Sequence, residues 1–357
     1  MPQEALKEDE DLRYSDGNIM IIANNCAFRL YKGILASESL VFENMFSVPQ
    51  PEDAEYIDGC PVVSLADRAS DLRVFFMWLF KSHLPRFHHV WSGSSYEVAS
   101  LLRIGHKYEA LSAIEPAVFR LKSRLRSPFW DWDYQEDAWT GLEWDLDCDS
   151  VILHLDHIFD IVNLMRLVNE FATSPNAPRF SRSEAAVALF YSCVVVDASP
   201  SLLWDGQARS DGTVDHLSSR ARECCMRALE FIHDETHRSV AEAFSNFESR
   251  FTNRPDRNLK VQKCLHELDP DEPCLSKIRE RAVKDRLNID GKPKVQEAWV
   301  RMDKWTVPPS AYVECLGNLC SRCMEELLSC HYGALESAWH RIESFLLDAS
   351  GWVPNDP

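Results

Sequence analysis

The sequence lacks a long uninterrupted apolar run. No stretch approaches the roughly 20 residues that a membrane-spanning helix requires. The first residues, MPQEALKEDEDLRYS, are charged and lack the apolar core of a secretion signal. The 12 cysteines are scattered through the chain instead of forming the framework of a small secreted domain. These absences predict a soluble protein of the cytoplasm or nucleus, with no membrane partner and with cysteines that act as small core residues.

The chain is also poor in basic residues. Lys and Arg total 38 against 56 Asp and Glu, which gives a formal net charge of −18. Such a charge repels the phosphate backbone of nucleic acids, unless a local basic surface compensates. Nucleic acid is therefore not expected as a direct partner.

Catalytic motifs are missing as well. The chain contains no G-x-S-x-G elbow, no glycine-rich phosphate loop and no protein-kinase motif set. HDETH, at residues 233–237, places two histidines four apart on a helix as zincins do, but Asp234 stands where the general base Glu belongs. We interpret this stretch as a solvated helix end. The sequence predicts no enzyme and no cofactor.

Soft metal ligands cluster near the C terminus. Cys320 and Cys323 have the C-x-x-C spacing of zinc sites, and Cys315, Cys330 and His331 lie nearby. Most of these residues fall on one stripe of a continuous predicted helix, and a single helix face cannot by itself surround a tetrahedral ion. We therefore expect a buried stripe of small residues and no bound metal. A zinc-binding enzyme is the remote alternative.

What the sequence does contain begins with a change from strand to helix. Residues 17–31, GNIMIIANNCAFRLY, hold two β-rich runs around Asn24-Asn25, a pair that tolerates the positive φ of a tight turn. Two short helices are predicted next, and Ser39 is placed to cap the second of them. A third strand is predicted at residues 61–65, PVVSL.

Three more helices are predicted before residue 127. Asp67 is placed to cap the first, and Ser94 and Glu97 have capping-box spacing for the second. The third is expected to begin at Glu115-Pro116, because proline is tolerated at the first position of a helix.

These elements resemble a BTB/POZ domain, of the kind abundant in mushroom-forming (basidiomycete) fungi. The resemblance is carried by Asp16, by the pattern F-x-x-x-K-x-x-L-A-x-x-S-x-x-F-x-x-M-F from Phe28 to Phe46, and by the stretches VVSLADRASDLRVFFMWLFKS and LLRIGHKYEA. One departure is Tyr31, which stands where the family usually has histidine. The fold class that follows is α+β, with a BTB/POZ domain of β-hairpin, short strand and packed helices followed by an all-helical C-terminal region.

We divide the chain into four parts on this basis. They are a charged N-terminal tail (1–11), the BTB/POZ domain (12–126), an acidic Trp-rich seam (127–150) and a helical region (151–350). The seam holds eight acidic residues and no Lys or Arg. Its tryptophans are either a partner-docking peptide or packing between two neighbouring domains. These candidates are Trp130, Trp132, Trp139 and Trp144.

The resemblance also implies self-association. Asp16 and Lys32 align with positions that form a charged pocket at the two-fold interface of dimeric BTB domains, and the alternative is a buried ion pair within one protomer. The predicted function is protein–protein interaction: a homodimer whose helical region binds other proteins. Two uses are expected, a substrate adaptor that binds a cullin-type ubiquitin ligase, or a non-catalytic scaffold or transcriptional co-regulator.

Overall fold

A computed structural model describes residues 6–49, 55–84, 94–125, 157–171, 177–209, 212–252 and 321–351. It confirms an α+β protein with a helical C-terminal region. The strands are β1 (Lys7–Arg13), β2 (Ile19–Ala23), β3 (Cys26–Leu30), β4 (Tyr56–Ile57), β5 (Cys60–Leu65), β6 (Gln207–Ala208) and β7 (Val214–Asp215). The helices are α1 (Lys32–Glu38), α2 (Leu40–Ser47), α3 (Ala69–Lys81), α4 (Ser95–Lys107), α5 (Leu111–Arg124), α6 (Ile158–Phe171), α7 (Arg182–Ala198), α8 (Leu202–Asp205), α9 (Ser219–Thr252) and α10 (Ser321–Ser350).

The predicted hairpin is the centre of a five-stranded sheet. Strands β2 and β3 pair antiparallel, with Ile21 opposite Phe28, and Asn24 takes a φ of 48° in the turn. Strand β5 pairs parallel to β2, and the sheet order is β1-β3-β2-β5-β4. The hairpin and the third strand are therefore confirmed, and α1 follows β3 directly.

Strand β1 occupies the sheet edge and corrects the predicted N-terminal tail. It pairs parallel to β3, so residues 7–11 belong to the fold. Leu12 is the only side chain that β1 buries fully. Arg73 of α3 holds the strand from the side, with Nε 2.8 Å from Asp9 Oδ2 and with a second ion pair to Asp11. A strand held by backbone pairing and surface charge has no alternating apolar pattern that sequence analysis could detect.

Helix caps with local partners are confirmed. The Ser39 hydroxyl accepts from the Phe42 backbone N–H at 3.1 Å. Ser94 and Glu97 form the expected capping box, in which each side chain accepts from the backbone N–H of the other residue. Both caps connect residues three apart, which is why spacing alone revealed them.

Asp67 has a different role from the predicted cap. Helix α3 begins without a side-chain cap. The Asp67 carboxylate instead accepts a hydrogen bond from Tyr108 Oη at 2.6 Å and lies 2.5 Å from Lys107 Nζ. Asp67 therefore ties the start of α3 to the end of α4, a contact between residues about 40 positions apart.

Helix α5 begins earlier than predicted and contains its proline. It starts at Leu111, so Pro116 lies inside the helix instead of at its first position. An internal proline has no N–H for the carbonyl four residues earlier, here that of Ser112. The Trp78 indole N–H of α3 donates to this carbonyl at 2.9 Å. The tertiary contact satisfies the acceptor that the proline would leave unpaired.

One apolar core runs through the sheet, the following helices and the C-terminal helices. We call the described residues between 6 and 125 the N-terminal unit and those between 157 and 351 the helical region. The core of the N-terminal unit includes the fully buried side chains of Ile21, Phe28, Leu35, Phe42, Phe75 and Leu101, and the half-buried side chains of Phe46, Val63 and Leu79 pack against it.

The helical region is built on a long pair of helices, α9 and α10, that pack on α7. Phe231 stacks on Phe345 with ring centroids 4.3 Å apart, and Phe190 of α7 meets Trp339 edge-on at 5.4 Å. The prediction of an all-helical region is corrected by the short β6–β7 hairpin. Among the described residues, none of the helices combines the length and apolar character needed to cross a lipid bilayer.

Candidate self-association face

The residues predicted at the dimer interface lie where the hairpin meets α1. Asp16 is in the turn before β2, and Lys32 is the first residue of α1. The Lys32 backbone N–H donates to Asn18 Oδ1 at 2.7 Å, which fixes the start of the helix against the start of β2. The fold therefore brings Asp16 and Lys32 to one region of the surface.

Asp16 is paired with Tyr31 and not with Lys32. Tyr31 Oη donates to Asp16 Oδ1 at 2.5 Å, and Asp16 is exposed. This hydrogen bond lowers the pKa of Asp16, helped by a backbone hydrogen bond and the charge of Arg29, and it raises the pKa of Tyr31. The alternative of a buried Asp16–Lys32 pair within one protomer does not describe this site. In the sequence, Tyr31 stands out only as a departure from the BTB/POZ pattern, because its contact with Asp16 is created by the hairpin.

Lys32 lies over an aromatic ring. Its Nζ is 5.1 Å from the centre of the Phe46 ring, a cation–π distance, and the side chain is half-buried. Within the described part of the chain, Lys32 makes no ion pair. Its charge is thus held in a fixed place and can accept a carboxylate from another molecule.

The Tyr31 ring packs in an aromatic cluster with Tyr14 and Phe80. Tyr31 lies 5.0 Å from Tyr14 and 6.4 Å from Phe80 between ring centroids, and Tyr14 lies 5.6 Å from Phe80. Partial burial raises the pKa of Tyr14. Tyr14 follows β1 and Phe80 lies in the last turn of α3, so the cluster joins elements that are distant in sequence.

Apolar side chains are exposed on the two short helices beside these residues. Ile34 of α1 is 37% exposed, and Leu40 and Val48, at the two ends of α2, are 50% and 62% exposed. Exposed apolar residues that cluster beside fixed polar groups are typical of protein interaction sites. We call Asp16, Tyr31, Lys32, Ile34, Leu40 and Val48 the hairpin–α1–α2 face.

The seam tryptophans and the HDETH stretch were also singled out in the sequence. Trp130, Trp132, Trp139 and Trp144, the partner-docking candidates of the seam, lie outside the described residues. HDETH is not a solvated helix end, because it lies in the middle of α9 and Glu235 is fully buried.

Glu235 connects the two long helices. Its carboxylate lies 2.6 Å from Arg341 Nε of α10 and 2.5 Å from Arg238 Nη1 of α9. A buried carboxylate held by two guanidinium groups is an ionic cross-link, and removing either partner of such a pair is costly.

The C-terminal cysteines that the structure describes are core residues. Cys323 and Cys330 are buried in α10, while Cys315 and Cys320 lie outside the described residues. Elsewhere, burial raises the pKa of the free thiol of Cys224 to about 12, which leaves it protonated and unreactive. Among the described residues, no three His, Cys, Asp or Glu side chains are grouped to hold a metal ion.

Comparison with protein-family models, with curated proteins and with solved structures found no match to this chain.

Proposed function

We propose that this chain is a non-enzymatic interaction protein of the BTB/POZ type, which self-associates through the hairpin–α1–α2 face. The element order supports the proposal, since a hairpin, two short helices, a strand parallel to β2 and further helices follow one another as that resemblance implies. The observation that carries it is a half-buried cation beside an exposed carboxylate, flanked by exposed apolar side chains.

A two-fold arrangement would satisfy these groups together. In a symmetric dimer the same patch meets itself, so Lys32 of each protomer can approach Asp16 of the other. Tyr31 favours the ionised form of Asp16 and so prepares it for a cation. Burial of Ile34, Leu40 and Val48 would add the apolar contribution, at about 25 cal/mol per Å² removed from water.

Sedimentation of the full-length chain over a wide concentration range tests the proposal. We expect a concentration-dependent dimer, and we expect Lys32→Gln to weaken it by roughly tenfold or more, because Asp16 would lose its partner in both copies of the site. Lys122→Gln is the matched control, since Lys122 is a lysine on α5 outside the face.

Two outcomes would contradict the proposal. A wild-type chain that stays monomeric at high micromolar concentration removes self-association. Equal weakening by Lys32→Gln and Lys122→Gln removes the face. An adaptor and a scaffold would both use this dimer, and binding of a purified cullin separates them.

A further inference from the structure

Five charged side chains meet where the N-terminal unit packs against the helical region. Asp71 comes from α3, Arg103 from α4, Asp160 from α6, Arg209 follows β6 and Asp215 ends β7. Asp71, Asp160 and Arg209 are buried. We call these five residues the junction cluster.

Arg103 connects the two halves of the chain. Its Nη1 lies 2.6 Å from Asp71 Oδ2, and its Nη2 makes a second ion pair with Asp160. The Ser100 hydroxyl donates to the other oxygen of Asp71 at 2.9 Å. Asp71 is thus fixed inside the N-terminal unit, and Arg103 reaches from it to the helical region.

Arg209 completes the cluster from the other side. It pairs with Asp215 through both Nε and Nη2, and Nη2 also lies 3.0 Å from Asp160 Oδ1. Asp160 is therefore shared by two guanidinium groups that belong to different halves of the molecule. It is the central residue of the contact.

The cluster contains one more carboxylate than guanidinium groups. When all five groups are ionised, one negative charge is left without compensation in a buried place, which is unfavourable. Burial raises the pKa of Asp160 to about 6, against the opposing effect of Arg103 and Arg209, and the charge of Asp215 adds to the increase.

Two other titratable side chains, Tyr96 and His157, lie near Asp160. Tyr96 of α4 lies beside the cluster, and burial raises the pKa of its hydroxyl, which keeps it neutral. His157, three residues before Asp160, has its ring 6.1 Å from that of Tyr96. Helix α7, which also packs on α6, presents an apolar buried face.

We propose that the junction cluster is a proton-sensitive latch between the N-terminal unit and the helical region, closed most tightly when Asp160 is protonated. A proton on Asp160 leaves two carboxylates facing two guanidinium groups, so the cluster becomes neutral. Loss of that proton restores the excess negative charge. Separation of the two halves would expose this charge to water, so the charged form favours the open state. This inference goes beyond self-association and does not depend on it.

The direction of the pH effect follows from linkage. In the open state Asp160 has its ordinary pKa of 3.8, and closing raises that pKa to about 6. The closed state therefore binds the proton more tightly, and this contribution is fully present below the lower pKa and lost as the pH rises through the higher one. Opening should be about tenfold more favourable at about pH 7.5 than at about pH 5.

Hydrogen exchange of the α6 amides in the full-length chain, corrected for intrinsic exchange rates, tests the latch. We expect about tenfold greater protection at about pH 5 than at about pH 7.5 in the wild type. Asp160→Asn imitates the protonated residue and should remove most of this difference. Asp205→Asn, an exposed acid of α8, is the control and should retain it.

Several outcomes would overturn the latch. Protection that does not depend on pH in the wild type, or that is greater at the higher pH, contradicts it. Equal pH dependence in wild type and Asp160→Asn also contradicts it. If Asp160→Asn does not fold, Asp215→Asn provides the test: it removes a neighbouring negative charge and should move the transition to lower pH, and an unmoved transition overturns the proposal.

Discussion

At the residue scale, sequence patterns predicted partners that lie close in sequence and missed distant ones. The caps at Ser39 and Ser94 join residues three apart, and spacing identifies them. The pairing of Asp16 with Tyr31, fifteen positions away, is created by the hairpin. The same holds for Asp67, whose partners lie on another helix. A side chain's type shows that it needs a partner, but only the fold decides which one.

Two phenylalanines of α2 differ in burial and should therefore differ in their contribution to stability. Phe42 is fully buried and stacks on Tyr108 with ring centroids 4.7 Å apart, whereas Phe46 is half-buried under Lys32. We expect Phe42→Ala to reduce the free energy of unfolding by about 3 to 5 kcal/mol. Phe46→Ala should cost less, because part of that ring already faces water, although it also loses the cation–π contact.

Urea unfolding of the two variants beside the wild type measures both values. Equal losses of unfolding free energy, or a larger loss for Phe46→Ala, would contradict the burial of α2 described above.

At the element scale, the apolar elements were predictable and the polar ones were not. Alternating or helically spaced apolar residues identified β2, β3, β5 and the main helices. Strand β1 was not predicted because its side chains are mostly charged. The start of α5 was predicted too late because Pro116 was assigned to the first turn of the helix. Both elements are stabilised by a side chain of α3 that is distant in sequence. Arg73 forms ion pairs with β1, and Trp78 donates a hydrogen bond to the Ser112 carbonyl of α5.

The attachment of β1 gives a testable expectation. Arg73→Gln removes the ion pairs to Asp9 and Asp11, and should increase hydrogen exchange in residues 7–13. The increase in exchange should be small, because these ion pairs are partly exposed. The difference between Arg73→Gln and the wild type should become smaller at high salt, because salt screens the ion pairs of the wild type. Arg220→Gln, an exposed change at the start of α9, is the control. Unchanged exchange in β1 would mean that backbone pairing alone holds the strand.

At the scale of the whole molecule, the apolar core does not stop at the end of α5. Helix α4 packs on α6, and the core residues of both halves form one cluster. We therefore expect a chain that ends at residue 126 to unfold at a lower urea concentration than the full-length protein, since the face of α4 loses its cover.

Circular dichroism of the two chains during urea titration makes this comparison. A shortened chain with the same unfolding midpoint as the full-length protein would contradict a stabilising contribution from the helical region.

The placement of Arg103 also bears on how such a chain can change in evolution or be rearranged in the laboratory. A unit that is transplanted into another protein carries its surface with it, and here that surface includes a guanidinium group whose second carboxylate belongs to α6. A transplanted N-terminal unit would keep the Arg103–Asp71 pair, but it would expose the second side of the guanidinium group beside bare apolar side chains. Recombination after residue 125 is expected to yield poorly soluble chimaeras unless the recipient covers the apolar face of α4 that α6 covers here.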